Sequence, residues 1–226
     1  YGALVWSGDI DSSWEDFRKQ LCAGLSISLA GIPWWTTDIG GFTGGDPTDP
    51  AFRELLVRWF QWGAFCPVMR LHGNRNPQEG YGAEQIGSGS DNEIWSFGDK
   101  AYEISKKYIF LRERLRDYIR TQMKKAHEDG TPMMRPVFYD FPTDQESWNV
   151  EDAYLFGPDL YVAPVMEDHV TEREVYLPDG TAWFNAWTGE KYEGGQNVTV
   201  AAPMDIIPVF VREGADTEHL LNIFSE

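Results

Sequence analysis

Ala3-Leu4-Val5-Trp6-Ser7-Gly8-Asp9, followed by Ile10-Asp11-Ser12-Ser13-Trp14-Glu15-Asp16-Phe17, is an apolar run that breaks at a turn and passes into a helix. Ser12 and Glu15 have capping-box spacing, and Trp14, Phe17, Leu21 and Leu25 recur at helical intervals. The same strand-then-helix pattern follows twice more. Ser28-Leu29-Ala30-Gly31-Ile32-Pro33-Trp34-Trp35 is an apolar segment ending at Thr37-Asp38. Asp49-Pro50 then reads as an N-cap with proline at the first helical position, and Phe52, Leu55, Leu56, Trp59 and Phe60 give that helix one apolar face. Pro67-Val68-Met69-Arg70-Leu71 is a third strand candidate running into His72-Gly73. A Gly-rich polar stretch from Gly73 to Gly98 precedes one long helix over 99–128, which Gly130-Thr131-Pro132 stops. Repeated βα units predict a parallel sheet, doubly wound or closed into a barrel.

After Gly130 the pattern changes. Met133 to Tyr139, Ala153 to Phe156, Leu160 to Val165, Glu174 to Leu177, Val198 to Ala201 and Ile206 to Val211 are short β-like runs, with turns such as Pro178-Asp179-Gly180 between them. That spacing predicts a small antiparallel β-sandwich over 131–226, after an α/β part over 1–130. The segment after Gly214 reads as a short terminal helix.

Composition narrows the function. Of 226 residues, 36 are acidic and 19 basic, a net charge of −17 that repels phosphates and so argues against nucleic acid and anionic membrane surfaces as partners. No apolar run approaches the ~18 residues that span a bilayer. Cys22 and Cys66 are expected to be buried reduced thiols, with a disulfide between them as the alternative. Neither Gly80-Tyr81-Gly82 nor Gly87-Ser88-Gly89 completes a dinucleotide fingerprint, and there is no P-loop, HExxH, EF-hand loop or CxxC, so no metal or cofactor is expected. The opening residues, Tyr1-Gly2-Ala3, carry no start methionine or leader pattern, and the chain reads as an internal stretch of a longer protein. Its compartment is left open, leaning to the cytoplasm.

The three strand ends carry Asp9, Asp38 and His72. In βα-barrels the active site lies at such C-terminal ends. A carboxylic acid there, walled by Trp6, Trp34, Trp35 and Phe42, would have its pKa raised by desolvation, as a general acid near neutral pH requires. Carboxylates, a histidine and aromatics making 15% of the chain suit glycoside hydrolysis better than phosphoryl or hydride transfer.

These residues resemble glycoside hydrolase family 31, the retaining α-glucosidases and α-xylosidases. Trp6-Ser7-Gly8-Asp9 looks like the family's acid/base motif, and Gly31 to Phe42 and Arg70-Leu71-His72-Gly73 are similar to its later barrel strands. Ile94-Trp95-Ser96-Phe97-Gly98, Met134-Arg135-Pro136, Leu160 to Val165 and Pro208 to Arg212 extend the likeness to about residue 214. The resemblance implies the last part of a (β/α)8 TIM barrel, followed by the β-sandwich. It makes Asp9 the general acid/base, with Trp6, Asp38, Phe42 and His72 lining the terminal-sugar site. Arg70 beside them is either a sugar ligand or a structural ion-pair partner. The family's nucleophile lies upstream of anything in this sequence. The expected activity is therefore that of part of an exo-acting α-glycosidase that needs the upstream half of the barrel, in the same or a separate chain. A catalytically inactive sugar-binding fragment is the alternative, and an inert truncated product the blandest reading.

Overall fold

The computed structural model describes residues 3–79, 88–214 and 216–225. β1 (Val5–Trp6) leads through a turn to α1 (Trp14–Leu29). The cap of α1 is one residue later than Ser12 and Glu15 suggest: Ser13 Oγ accepts from Asp16 N at 3.1 Å, and Asp16 Oδ2 accepts from Asp11 N at 2.9 Å. Asp16 thus reaches back past the cap to Asp11, while Ser13 N donates to Asp11 O and Glu15 pairs in solvent with Lys19 at 2.7 Å. Phe17, Leu21 and Leu25 form the buried face, as their spacing predicts.

α1 continues through Ser28-Leu29, absorbing the start of the expected second strand, and leaves only Trp35–Thr36 as β2. Ser28 is buried and Leu29 exposed, so the apolar run there follows no strand face. β1 and β2 pair in parallel, Val5 with Trp35 and Trp6 with Thr36. Gly24 lets the Trp35 ring lie on α1, since a Cβ there would sit 2.8 Å from it.

The third expected strand, 67–71, forms no ladder. It nevertheless lies beside β2: Val68 N donates to Trp35 O at 3.2 Å, Thr36 Oγ1 to Val68 O at 2.8 Å, and Ile39 N to Arg70 O at 3.2 Å. Pro67 has no N–H to contribute, and a side-chain hydroxyl supplies one of the links. Beyond it, β3 (Arg75–Glu79) and β4 (Ser88–Ser90) form an antiparallel hairpin where the sequence suggests only loop. Residues 80–87 between them, including Gly80-Tyr81-Gly82, lie outside the described residues.

α2 (Pro50–Gly63) starts as predicted, with Asp49 Oδ1 accepting from Ala51 N at 2.9 Å and Pro50 in the first turn. It is buried on nearly every side. Phe17 and Trp59 stack at 4.8 Å, and Trp62 packs on Trp35 at 5.7 Å. The Arg112 guanidinium closes its far end by donating to the carbonyls of Ala64, Cys66 and Pro67. The expected long helix is two in line, α3 (Asp99–Arg114) and α4 (Arg116–Asp129), interrupted only at buried Leu115. Gly130, at φ 79°, ends α4 in the left-handed conformation that glycine adopts freely.

The second half builds β5 (Met134–Arg135), β6 (Tyr154–Phe156), β7 (Leu160–Val162), β8 (Glu172–Leu177), β9 (Ala182–Asn185), β10 (Lys191–Glu193), β11 (Gln196–Ala201) and β12 (Val209–Arg212). β9 and β10 were not expected from the sequence; they form a hairpin whose turn places Gly189 at φ 72°. Six strands make an antiparallel sheet in the order β10-β9-β12-β7-β6-β5, and β8 and β11 pair separately. Val175, Leu177, Val198 and Val200 of that ribbon pack with Leu155, Tyr161, Trp183 and Phe210 of the sheet. The sheet's other face, including Tyr154, Phe156, Leu160, Val162, Val209 and Val211, joins the core built on α1, α2 and α3. Coverage on both faces explains why β6 and β7 read as continuous apolar runs, whereas β8 and β11 alternate.

Two buried side chains bolt the halves together. Arg58 of α2 donates to the carbonyls of Val170, Ala202, Pro203 and Ile206 at 2.8–3.0 Å. Tyr108 of α3 donates to Asp205 O and accepts from Ile207 N, both at 3.0 Å. α5 (Thr217–Ser225) lays Phe224 against Phe65 and Trp187. Both cysteines are free; Cys66 is buried as expected, but Cys22 is exposed on α1.

Candidate active site

The six residues singled out in the sequence lie at the ends of three neighbouring segments. Trp6 closes β1 and is half exposed. Gly8, at φ 81°, turns the chain after it, with Ile10 N donating to Gly8 O at 3.0 Å, and Asp9 stands exposed at that turn. Ser7 Oγ donates to Thr37 Oγ1 at 3.4 Å, tying the end of β1 to that of β2.

Asp38 follows directly. Its side chain is 0% exposed, and neither carboxylate oxygen receives a hydrogen bond. Arg70 Nη1 approaches Oδ1 to 3.2 Å as an ion pair, and the Arg70 guanidinium also sits 5.8 Å from the centre of the Trp6 ring. Burial pushes the Asp38 carboxyl above its ordinary range; Arg70, and to a smaller extent His72 and Arg75, oppose that, and Asp9 adds to it. One carboxyl therefore senses all the charged members of the rim. Phe42 and His72 complete it, with ring centres 5.4 Å apart.

The aromatic wall differs from expectation. Trp35 is committed to packing between α1 and α2, its ring against Gly24 and 5.7 Å from that of Trp62, and Trp34 is exposed just before β2. Trp6 and Phe42 remain as the apolar surfaces of the rim. A cleft of about 590 Å³ between the first turns of α2 and α3 lies elsewhere and contains none of the six residues.

Arg75 was not singled out in the sequence, yet it underlies the rim. Its side chain is 0% exposed and donates to Ile39, Gly40, Gly41 and Gly44 carbonyls, to Ser12 Oγ and to Asn92 Oδ1. Burial lowers the guanidinium to about 10. The available signal was the run of glycines at 40, 41, 44 and 45, which requires something rigid to lie against.

Comparison with known proteins agrees with the fold. Residues 1–122 match the family model described as glycosyl hydrolases family 31 TIM-barrel domain, and residues 130–215 the glycosyl hydrolase family 31 C-terminal domain. An alpha-xylosidase of Saccharolobus solfataricus is 41% identical over 95% of the chain and 28% of its own length. Alpha-glucosidase 2 of Bacillus thermoamyloliquefaciens is 36% identical over 94% of the chain and 25% of its own length. The crystal structure of a GH31 alpha-xylosidase from a soil metagenome, complexed with xylose, superimposes with a TM-score of 0.94 at 55% identity, covering 98% of the chain and 34% of that protein. The chain thus spans about a quarter to a third of these relatives. With both halves matched in order and a close structural likeness throughout, the chain belongs to glycoside hydrolase family 31, as the later part of its TIM barrel and the β-domain that follows.

Proposed function

We propose that this chain supplies the acid/base part of the active site of a retaining, exo-acting α-glycosidase that hydrolyses terminal α-linked xylose or glucose. On this reading residues 1–130 belong to the catalytic barrel and 131–226 to its companion β-domain. The observation that supports it most is the convergence on one rim of an exposed carboxylate, Asp9, and a buried carboxylate, Asp38, with Arg70 and His72. Asp9 protonates the departing glycosidic oxygen and then takes a proton from the water that releases the glycosyl-enzyme intermediate. Asp38, whose oxygens lack donors, accepts from sugar hydroxyls. Arg70 holds the Asp38 carboxylate in place, and Trp6 and Phe42 face the C–H surfaces of the ring.

A retaining reaction needs a second carboxylate roughly 5–5.5 Å from the first. We assign that nucleophile to the upstream part of the barrel, in the same or a separate chain, in keeping with the share of each relative that this chain spans. The names of two of the three relatives lean the substrate toward an α-xyloside.

Release of nitrophenol from aryl α-xyloside and α-glucoside tests the reading, using the polypeptide that includes the upstream barrel and its Asp9→Ala variant. Beside it, hydrolysis of an unactivated α-linked disaccharide, whose leaving group needs the proton, is expected to fall about 10²–10⁴-fold in the variant. Added azide is expected to restore turnover of the nitrophenyl glycoside, with an α-glycosyl azide as product. Full activity of the variant would remove Asp9 from its role. The 226-residue chain alone is expected to be inactive, and turnover by it would place the nucleophile within it. Saturable sugar binding without turnover by the longer polypeptide, weakened by His72→Ala, would instead establish a binding module.

A further inference from the structure

We propose that Arg75 is the positioning residue of the rim, the rigid template on which the loop after β2 and the turn after β1 are set. For its kinetic consequence this rests on the glycosidase reading above; its geometric content does not.

The loop over 39–45 carries Phe42 and continues from Asp38. Four of its residues are glycines at φ between 76° and 90°, a backbone with little rigidity of its own. The Arg75 guanidinium fills the space this loop encloses: Nη2 donates to Ile39 O at 3.0 Å, and Nη1 to Gly40, Gly41 and Gly44 carbonyls at 3.3, 2.8 and 3.2 Å. Nη1 also reaches Ser12 Oγ at 3.1 Å, across to the turn that carries Asp9, and Nε reaches Asn92 Oδ1 at 2.8 Å. The Phe52 ring lies 5.0 Å from the guanidinium carbon.

The fit extends to the glycines. A Cβ on Gly40 would lie 3.0 Å from Nη2, and one on Gly73 would lie 2.5 Å from it. Among the described residues no acidic group is within ion-pair distance of Arg75. The buried cation is satisfied by neutral oxygens of the loops that carry the rim. Such a charge, surrounded by carbonyls, specifies loop geometry rather than gaining energy from a counter-ion. Lysine, with three donors at a single point, cannot span the same acceptors.

The test compares Arg75→Met, Arg75→Lys and Gly73→Ala in the polypeptide that includes the upstream barrel. Gly73→Ala crowds the guanidinium without removing it and serves if Arg75→Met does not fold. Kinetics on an unactivated α-linked disaccharide are read beside amide hydrogen exchange. Arg75→Met is expected to lower kcat by about 100-fold, the effect of misplacing reacting groups by an ångström, with partial recovery in Arg75→Lys. Exchange at residues 40–44 and 11–12 is expected to speed up at least tenfold while α2 and the six-stranded sheet keep their protection. Native kcat with native exchange would overturn the proposal, and so would loss of protection spread evenly through the protein. If the unaltered polypeptide cleaves no α-glycoside, the glycosidase reading falls, and the exchange pattern alone still decides the role of Arg75.

Discussion

Asp38 is buried with both oxygens lacking hydrogen-bond donors and a single arginine at 3.2 Å, an arrangement that does not favour its ionised form. Because burial raises its pKa, the native protein holds this proton more firmly than the unfolded chain does. Stability contributed by the group is therefore full below the ordinary aspartate value of 3.8 and declines as pH climbs through the raised native value. Asp38→Asn is expected to flatten that part of the stability–pH curve and to raise the urea midpoint at neutral pH. The same substitution is expected to weaken monosaccharide binding about tenfold, because an amide NH2 takes the place of one oxygen acceptor. Urea titrations across pH, with a binding isotherm at one pH, check both halves. A midpoint that falls at neutral pH would show that the pairing with Arg70 outweighs desolvation.

The start of α1 shows how far local pattern reaches. Two adjacent serines each have an acidic residue three positions on, and sequence spacing alone cannot say which pair caps the helix. Ser12 is committed elsewhere, accepting from Arg75, so Ser13 takes the cap. Ser13→Ala is expected to cost about 1 kcal/mol in urea unfolding, whereas Ser12→Ala leaves the helix capped and loosens the rim. The α2 start was legible because Asp49 and Pro50 act within one turn. The 67–71 strand and the β9–β10 hairpin were misread for a common reason. Ladder pairing depends on the neighbour, and neither what β2 offers to the 67–71 segment nor what β12 offers to β9 appears in a local window. Among site residues, Asp9, Asp38 and His72 could be found because polar groups ended apolar runs. Arg75 sits in a polar stretch, and its burial arises only when three loops close over it.

Arg58 and the six-stranded sheet join the two halves into one body. Arg58→Met is expected to leave four carbonyls without their donor, that of Ala202 fully buried, and to destabilise the protein by about 1–3 kcal/mol, seen as a lower urea midpoint. Amide protection around 166–170 and 202–206 is expected to fall first. If the midpoint were unchanged, water would be replacing the guanidinium at those carbonyls.

The face of the sheet that carries Phe156, Val162 and Val211 has a further consequence, for inheritance. Segments that recombine freely between genes meet their neighbours through polar, separable surfaces. Here a crossover at Gly130 would pair one ancestor's sheet with another's helices, and every apolar side chain on that face would have to match a foreign surface. Chimeras joined at this point are expected to be insoluble unless α1, α2 and the sheet come from the same parent. Evolution is then constrained to vary this protein in its loops and to pass the two halves on together.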